Sequence, residues 1–316
     1  MKKAMINRTH IEGWLYDTGN DFALKVTGPT SKNPGTPFIS GTIQIATDDA
    51  HTNIVPVHFT YVTEITSTGK NNATFGILKD IIDEKYHSIM KHDAESAVKL
   101  RIDSAIGLND FYTDRSGEET LVSAKRNEGG FVHVTNELAE DEKTRNTFEA
   151  DMLITGVTRV EADEERQLPE KVIVKGAIFD FRKALLPLEF SAINPNAMNY
   201  FEGLGASAKE PVFTKVWGRQ ISETIVKTYV EESAFGPDSV REVPYSRKDF
   251  VITGAAREPY VWDDEETITA AELTKAMQDR ELHLAEVKQR WMEYKASQGQ
   301  AAPAAATTAK SGAFNF

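Results

Sequence analysis

Apolar residues along the chain recur mostly at every second position, and in only three stretches at every third or fourth. "ISGTIQIATD" places Ile39, Ile43 and Ile45 broadly on one side and polar residues on the other, the period of a half-buried strand. "HIEGWLYD", "FALKVTG" and "TNIVPVHFTYVTEI" read as strands too, the last with Pro56 marking an edge or a bulge. Over 73–90 the period changes: Phe75, Leu78, Ile82, Tyr86 and Ile89 follow a helical spacing. Strands resume in "AVKLRIDSAIGLNDFYT" and "LVSAKRNEGGFVHVTN", the latter expected to turn at Gly129-Gly130.

The same order then repeats. "FEADMLITGVTRVEA", "KVIVKGAIFDFR" and "ALLPLEFSAI" read as strands. "NPNAMNYFEGLG" reads as a short helix capped by Asn194 and ended by Gly203 or Gly205, before the strands "PVFTKVWGRQISETIVKTYV" and "KDFVITGAA". Three strands, a helix and two strands is the order of the OB-fold, a five-stranded partly open barrel whose face commonly binds single-stranded nucleic acid or oligosaccharide. From Asp263 onward the helical period returns. Leu273, Ala276, Met277, Leu284, Val287, Trp291 and Tyr294 form an apolar stripe behind an acidic start suited to the helix dipole. "GQAAPAAATTAKSG" is low in complexity and reads as a linker before the terminal "AFNF".

The expected fold is therefore mainly β. Two OB-like small β-barrels stand in tandem (residues 1–140 and 141–258), followed by a C-terminal α-helix (259–298) and a flexible tail (299–316).

Composition narrows the function. With 40% hydrophobic and 27% charged residues the chain reads as globular, and no apolar run approaches the roughly 20 residues that span a bilayer. The start carries two lysines without an apolar segment behind them, and the chain has no cysteine; both fit a cytoplasmic protein. Disulfides, thiolate nucleophiles and cysteine-ligated zinc are excluded together. The net charge of −12 argues against polyanions on average, but binding depends on the local field in a groove. Residues 141–257 are nearly balanced, 16 Lys+Arg against 19 Asp+Glu, whereas 258–316 are proportionally the most acidic, 6 against 10.

The candidate chemistry is aromatic and basic residues sharing strand faces. "FTKVWGR" alternates Phe213, Lys215, Trp217 and Arg219 on one side with Thr214 and Val216 on the other. A ring beside a cation is what base stacking plus phosphate pairing requires, each stacked base contributing roughly 1–3 kcal/mol whatever its identity. The turn after "KVIVKGAIFD" adds Phe179, Phe181, Arg182 and Lys183. In the first module Trp14, Tyr16, Phe111, Tyr112, Lys125, Arg126 and Phe131 are the analogues, although here the core is the stronger reading, for Trp14 and Phe131 above all. His87 and His92 stand five apart, off the spacing that puts two imidazoles on one helical face, so no metal is expected. No P-loop, nucleophile elbow or acid–base constellation occurs, and the chain reads as a non-enzyme without a cofactor.

The second module, "EKVIVKGAIFDFRKALLPLEFSAINPNAMNYFEGLG" with "PVFTKVWGR" behind it, resembles the replication-associated single-stranded DNA-binding proteins of bacteriophages. The tail is similar too, since such proteins commonly end in a linker and a short acidic peptide with an aromatic last residue that partner enzymes capture. Phe314 and Phe316 match the aromatic tip, although Lys310 is the only charged side chain near it. The resemblance implies binding and protection of single-stranded DNA during phage replication or recombination, with replication or recombination enzymes as partners through the tail. Two other classes stay open at this stage: a phage structural or assembly protein built on β-barrels, and a module that binds a host protein through its C-terminal helix.

Overall fold

The structure, a computed structural model, describes residues 5–299 except 116, 164–167, 232, 234, 236–238, 262 and 266. Strand β1 (Asn7–Thr18) is followed by the short β2 (Ala23–Val26), β3 (Pro37–Ala46) and β4 (Ile54–Thr63). Helix α1 (Ala73–Ile82) leads to β5 (Lys99–Thr113) and β6 (Thr120–Val134). β1 pairs with both β3 and β5, β3 with β4, and β6 with β5, all antiparallel. A short parallel contact of β4 with β6 at Val57–Asn127 and His58–Glu128 closes the ring. The barrel encloses Ile11, Leu15, Ile43, Val57, Phe59 and Leu100, with α1 closing one end through Phe75, Leu78 and Ile81.

The second ring repeats this plan. β7 (Asn146–Val160), β8 (Lys171–Phe179) and β9 (Leu185–Ala192) precede α2 (Pro195–Gly203), then β10 (Val212–Glu231) and β11 (Ser239–Ala255). β7 pairs with β8 and β10, β8 with β9, and β10 with β11; β9 meets β11 in parallel at Ser191–Val251. Phe148, Met152, Val174, Phe190, Val216 and Ile252 fill it. Both rings follow the OB order, so the fold is mainly β with two OB-like barrels and a C-terminal helix α3 (Ala270–Gly299).

The barrels are fused. β1 also pairs with β7, from Asn7–Ala150 to Ile11–Asn146, so the two rings share one sheet. Asn127 of β6 and Gln220 of β10 exchange two buried side-chain hydrogen bonds of 2.8 and 2.9 Å. α3 crosses both barrels. Ala276 and Ile268 pack on Leu153, Phe179, Leu185 and Phe213 of the second barrel, while Arg280 donates twice, at 2.6 Å each, to Asp110 at the far end of β5.

Several sequence expectations shift. α1 stops at Ile82 rather than near residue 90, because Glu84 takes φ 58°, outside helical geometry, and Tyr86 and Ile89 follow as irregular chain. α3 starts at Ala270 rather than at the acidic run. A reciprocal cap sets it: Glu272 N donates to Thr269 Oγ1 at 3.2 Å and Thr269 N to Glu272 Oε2 at 3.1 Å. Gly129-Gly130 is not a hairpin turn either. β6 runs through it, and the register slips between Asp103 and Ala105 with Gly129 at φ 67° and Gly130 at φ 123°, a bulge.

Candidate nucleic-acid interface

Directly opposed residues of antiparallel strands point to the same side of a sheet. Following the register across the fused barrels gives one row, Arg219–Thr147–His10–Asp103–Phe131, on β10, β7, β1, β5 and β6. A neighbouring row runs Gly254–Trp217–Glu149–Arg8. Five strands from two barrels therefore present one outer face, with Trp217 and Arg219 at one end and Phe131 at the other. Four strand spacings separate the ends, roughly 19 Å.

The face is hollow near β10. Arg8, His10, Lys143, Glu149, Trp217 and Arg219 help to line a cleft of about 830 Å³. Trp217 is 41% exposed, and its indole lies over Gly254 across the ladder. A Cβ built on Gly254 would stand 2.6 Å from Trp217 Cζ2 and closer still to Cε2 and Nε1, so only glycine lets the ring lie flat there. The indole rests against the Gly254 backbone, and Trp217 lines the cleft.

The cleft continues past Lys143 and Arg219 into a depression of about 330 Å³ reaching Asp48, Glu142 and Arg247. A third, about 300 Å³, adjoins it at Glu223 and reaches Tyr16 and Lys248. The charge along these depressions is mixed. The carboxylates are engaged, however. Asp48 accepts from the backbone N–H of Thr52 and Asn53, Glu142 from that of Asp49 at 2.7 Å, and Glu223 from Arg247 at 3.2 Å. Glu149 holds both Arg8 and Lys215. Burial pushes the Glu149 carboxyl up, but the hydrogen bonds from Lys215 and Arg8 outweigh it and leave it below the usual carboxylate range. Among the described residues Lys143, Arg219 and Lys248 have no carboxylate within ion-pair distance.

The other expected residues fall in different places. Phe179 and Phe213 are fully buried under Ile268 and Ala276, so neither can stack on a base. Lys125 lies between the barrels over the rings of Phe190 and Phe250, 5.7 and 5.3 Å from their centroids, and donates to the Glu189 carbonyl. Burial lowers its pKa, and it is an inter-barrel contact. Arg126 pairs with Glu128 at 2.9 Å. Trp14 is half-buried, edge-on to His51, with Arg145 at 5.6 Å and Lys99 at 6.0 Å. Tyr16 is half-buried in the third depression. Phe111 and Tyr112 sit near the far end of β5, away from the cleft lining. Phe181 is 87% exposed with Arg182 stacked on it at 5.0 Å, and Lys183 is exposed beside them at φ 65°. That turn, braced by Asp180 accepting from the N–H of Arg182 and Ala184, borders a separate depression of about 430 Å³ beside α3. Phe314 and Phe316 lie outside the described residues.

Sequence reasoning missed one pair. Phe38 and Tyr61 meet on the outer side of β3 and β4 with ring centroids 4.8 Å apart, next to Lys25, which donates to Ser40 Oγ at 2.7 Å. The phase of "PFISGTIQIA" carried the signal, because setting Ile39, Ile43 and Ile45 inward sends Phe38 outward.

Two fused OB-like barrels with a ring-bearing cleft between them define a tandem-barrel protein. The model of the YorF family matches residues 21–290, and the chain belongs to that family. No curated protein matches it by sequence. Among solved structures it is similar to a deletion mutant of the single-stranded DNA binding protein from Thermus aquaticus, with 11% identity and a TM-score of 0.46, covering 83% of this chain and 98% of that one. No helix among the described residues is long and apolar enough to cross a membrane.

Proposed function

We propose that the protein binds single-stranded DNA without chemistry on it, laying the strand across the outer face that the two barrels share and protecting it during replication or recombination. The observation that carries this reading is the seat of Trp217. A half-exposed ring held flat on Gly254 lines a cleft where Lys143 and Arg219 have no carboxylate within ion-pair distance. A base stacks on the ring while the two cations meet flanking phosphates. Exposed Phe131 at the other end of the same face supplies a second ring for a strand crossing five β-strands. Phe314 and Phe316 complete the proposal as contacts for replication or recombination enzymes.

Fluorescence anisotropy with a labelled oligo-dT tests it, with duplex DNA and oligo-U as competitors. Oligo-dT is expected to bind, duplex much more weakly, since paired bases cannot splay onto rings. Trp217→Ala should weaken binding about five- to 150-fold, the stacking of one base. The logarithm of affinity should fall with that of salt with a slope of about −0.7 per phosphate neutralised. Binding to duplex as tight as to oligo-dT, or a Trp217→Ala variant that binds like the parent, refutes the reading.

A further inference from the structure

His10 stands at the centre of the shared outer face, two strand spacings from Arg219 and two from Phe131, roughly 10 Å each way. Both of its ring nitrogens meet a carboxylate. Nδ1 lies 2.9 Å from Asp103 Oδ1 on β5, and Nε2 lies 3.4 Å from Oε2 of Glu12, the next residue on the same side of β1. A neutral imidazole donates from one nitrogen and carries a lone pair on the other, which here would point at a carboxylate oxygen. Only the imidazolium donates from both. Glu12 adds to that demand, because its side chain is 11% exposed and its other oxygen accepts from the backbone N–H of Ala139 at 2.8 Å. Among the described residues His10 is the one cation within ion-pair distance of Glu12. A buried carboxylate left without its cation is costly, so the geometry favours a proton on His10.

We propose that single-stranded DNA crossing this face takes up a proton at His10, so that its affinity falls as pH rises. The inference rests on the function proposed above and names a control on the same site. Asp103, His10 and Glu12 together carry one net negative charge with the ring protonated and two without. Around them on this side of the sheet stand Arg8 on β1, Arg101 on β5, His133 on β6, Glu149 on β7 and Arg219 on β10, with Lys143 in the cleft wall. Arg8 and Glu149 pair with each other. Of these side-chain types only histidine ordinarily changes charge between about pH 5 and 8. Phosphates laid across the face favour the charged ring, which raises its pKa in the complex above that in the free protein. The affinity so gained is fully present below the free value and is lost as pH rises through the value in the complex. One positive charge fewer lowers the steepness of the salt dependence by about 0.7, which at about 0.1 M salt is about fivefold in affinity.

Anisotropy titrations with oligo-dT at fixed ionic strength, on the parent and on His10→Gln, test it between about pH 5 and 8. The parent should lose about fivefold over that range and show a shallower salt slope at its upper end. His10→Gln carries no titratable ring there and should stay level. Ring-nitrogen NMR of His10 follows the proton directly, and its titration should move to higher pH when oligo-dT is added. An affinity that stays level in the parent, a pH dependence undiminished by His10→Gln, or a ring that titrates alike with and without oligo-dT overturns the proposal. If His10→Gln does not fold, the NMR comparison on the parent decides. Oligo-dT that binds at no pH refutes the DNA-binding reading itself, and the coupling with it; oligo-dT that binds equally at every pH sinks the coupling alone.

Discussion

Replacing Gly254 by Ala perturbs the seat of Trp217 without touching the ring. Gly254 has no positive φ, so alanine strains no backbone there. The added Cβ stands 2.6 Å from Cζ2, whereas carbon atoms rest at about 3.5–4.0 Å, so the indole must retreat by roughly 1 Å or tilt out of the cleft floor. The ring is the distal end of a side chain and can swing, which makes displacement rather than unfolding the response. Alanine in place of a strand glycine recovers roughly 0.5–1 kcal/mol of chain entropy, offsetting much of the lost ring contact. Net stability should therefore change by less than about 1 kcal/mol.

Binding should change more. A tilted indole cannot stack in parallel with a base, so Gly254→Ala should lose a large part of the roughly 1–3 kcal/mol that stacking contributes, a weakening of about five- to 150-fold. Anisotropy titrations of the parent, Gly254→Ala and Trp217→Ala against the same oligo-dT measure it, and near-UV circular dichroism reports whether the ring has moved. If the dichroism changes while Gly254→Ala binds like the parent and Trp217→Ala does not, the flat seat is irrelevant and the argument from it fails.

The remaining predictions concern what holds the face in place. The side chain of Asp110 is 2% exposed; burial raises its pKa, but Arg280 and Ser123 outweigh that and hold the carboxyl below its ordinary range. A depressed carboxylate stabilises above the unfolded value near about 4 and loses this as pH falls through the folded value. Asp110→Asn should flatten that acid limb and, by leaving buried Arg280 unpaired, cost about 3–5 kcal/mol in α3 docking, read as faster hydrogen exchange along α3 at neutral pH. Lys125 has its pKa lowered by burial, so the unfolded chain binds the extra proton and stability rises with pH up to about 10.4. Lys125→Met should remove that rise in urea melts across alkaline pH. Phe179→Ala should cost about 3–5 kcal/mol in the same melts, and Phe181→Ala less than about 0.5.

How far the fold could be read from the residues depended on how local its determinants are. Strand, helix and strand order in each barrel follows from alternation within short windows, but SH3-like and other small β-barrels share much of that order, and the closures that make the rings OB-like, β4 on β6 and β9 on β11, join strands far apart in the chain. The outer face of β10 was equally legible, because "FTKVWGR" alternates strictly, and Phe213, Lys215, Trp217 and Arg219 do project to one side. What alternation cannot say is what comes to lie on that side. Phe213 is covered by Tyr260, Ile268 and Ala276, residues some fifty to sixty positions away, and Phe179 is covered by the same segment from nearly a hundred. Nothing in the period of a strand records a distant chain crossing it. Lys125 fails for the same reason, since its neighbours Phe190 and Phe250 belong to the other barrel. The β1–β7 junction is the extreme case. Each strand already pairs on both edges within its own ring, β1 with β3 and β5, β7 with β8 and β10. β1 gains a third neighbour only because its length exceeds what its own barrel uses, β3 taking Trp14–Thr18 and β7 taking Asn7–Ile11. Twelve residues of alternating sequence cannot announce that division of labour, yet it brings His10 and Arg8 beside Trp217 and Arg219 and so makes the cleft.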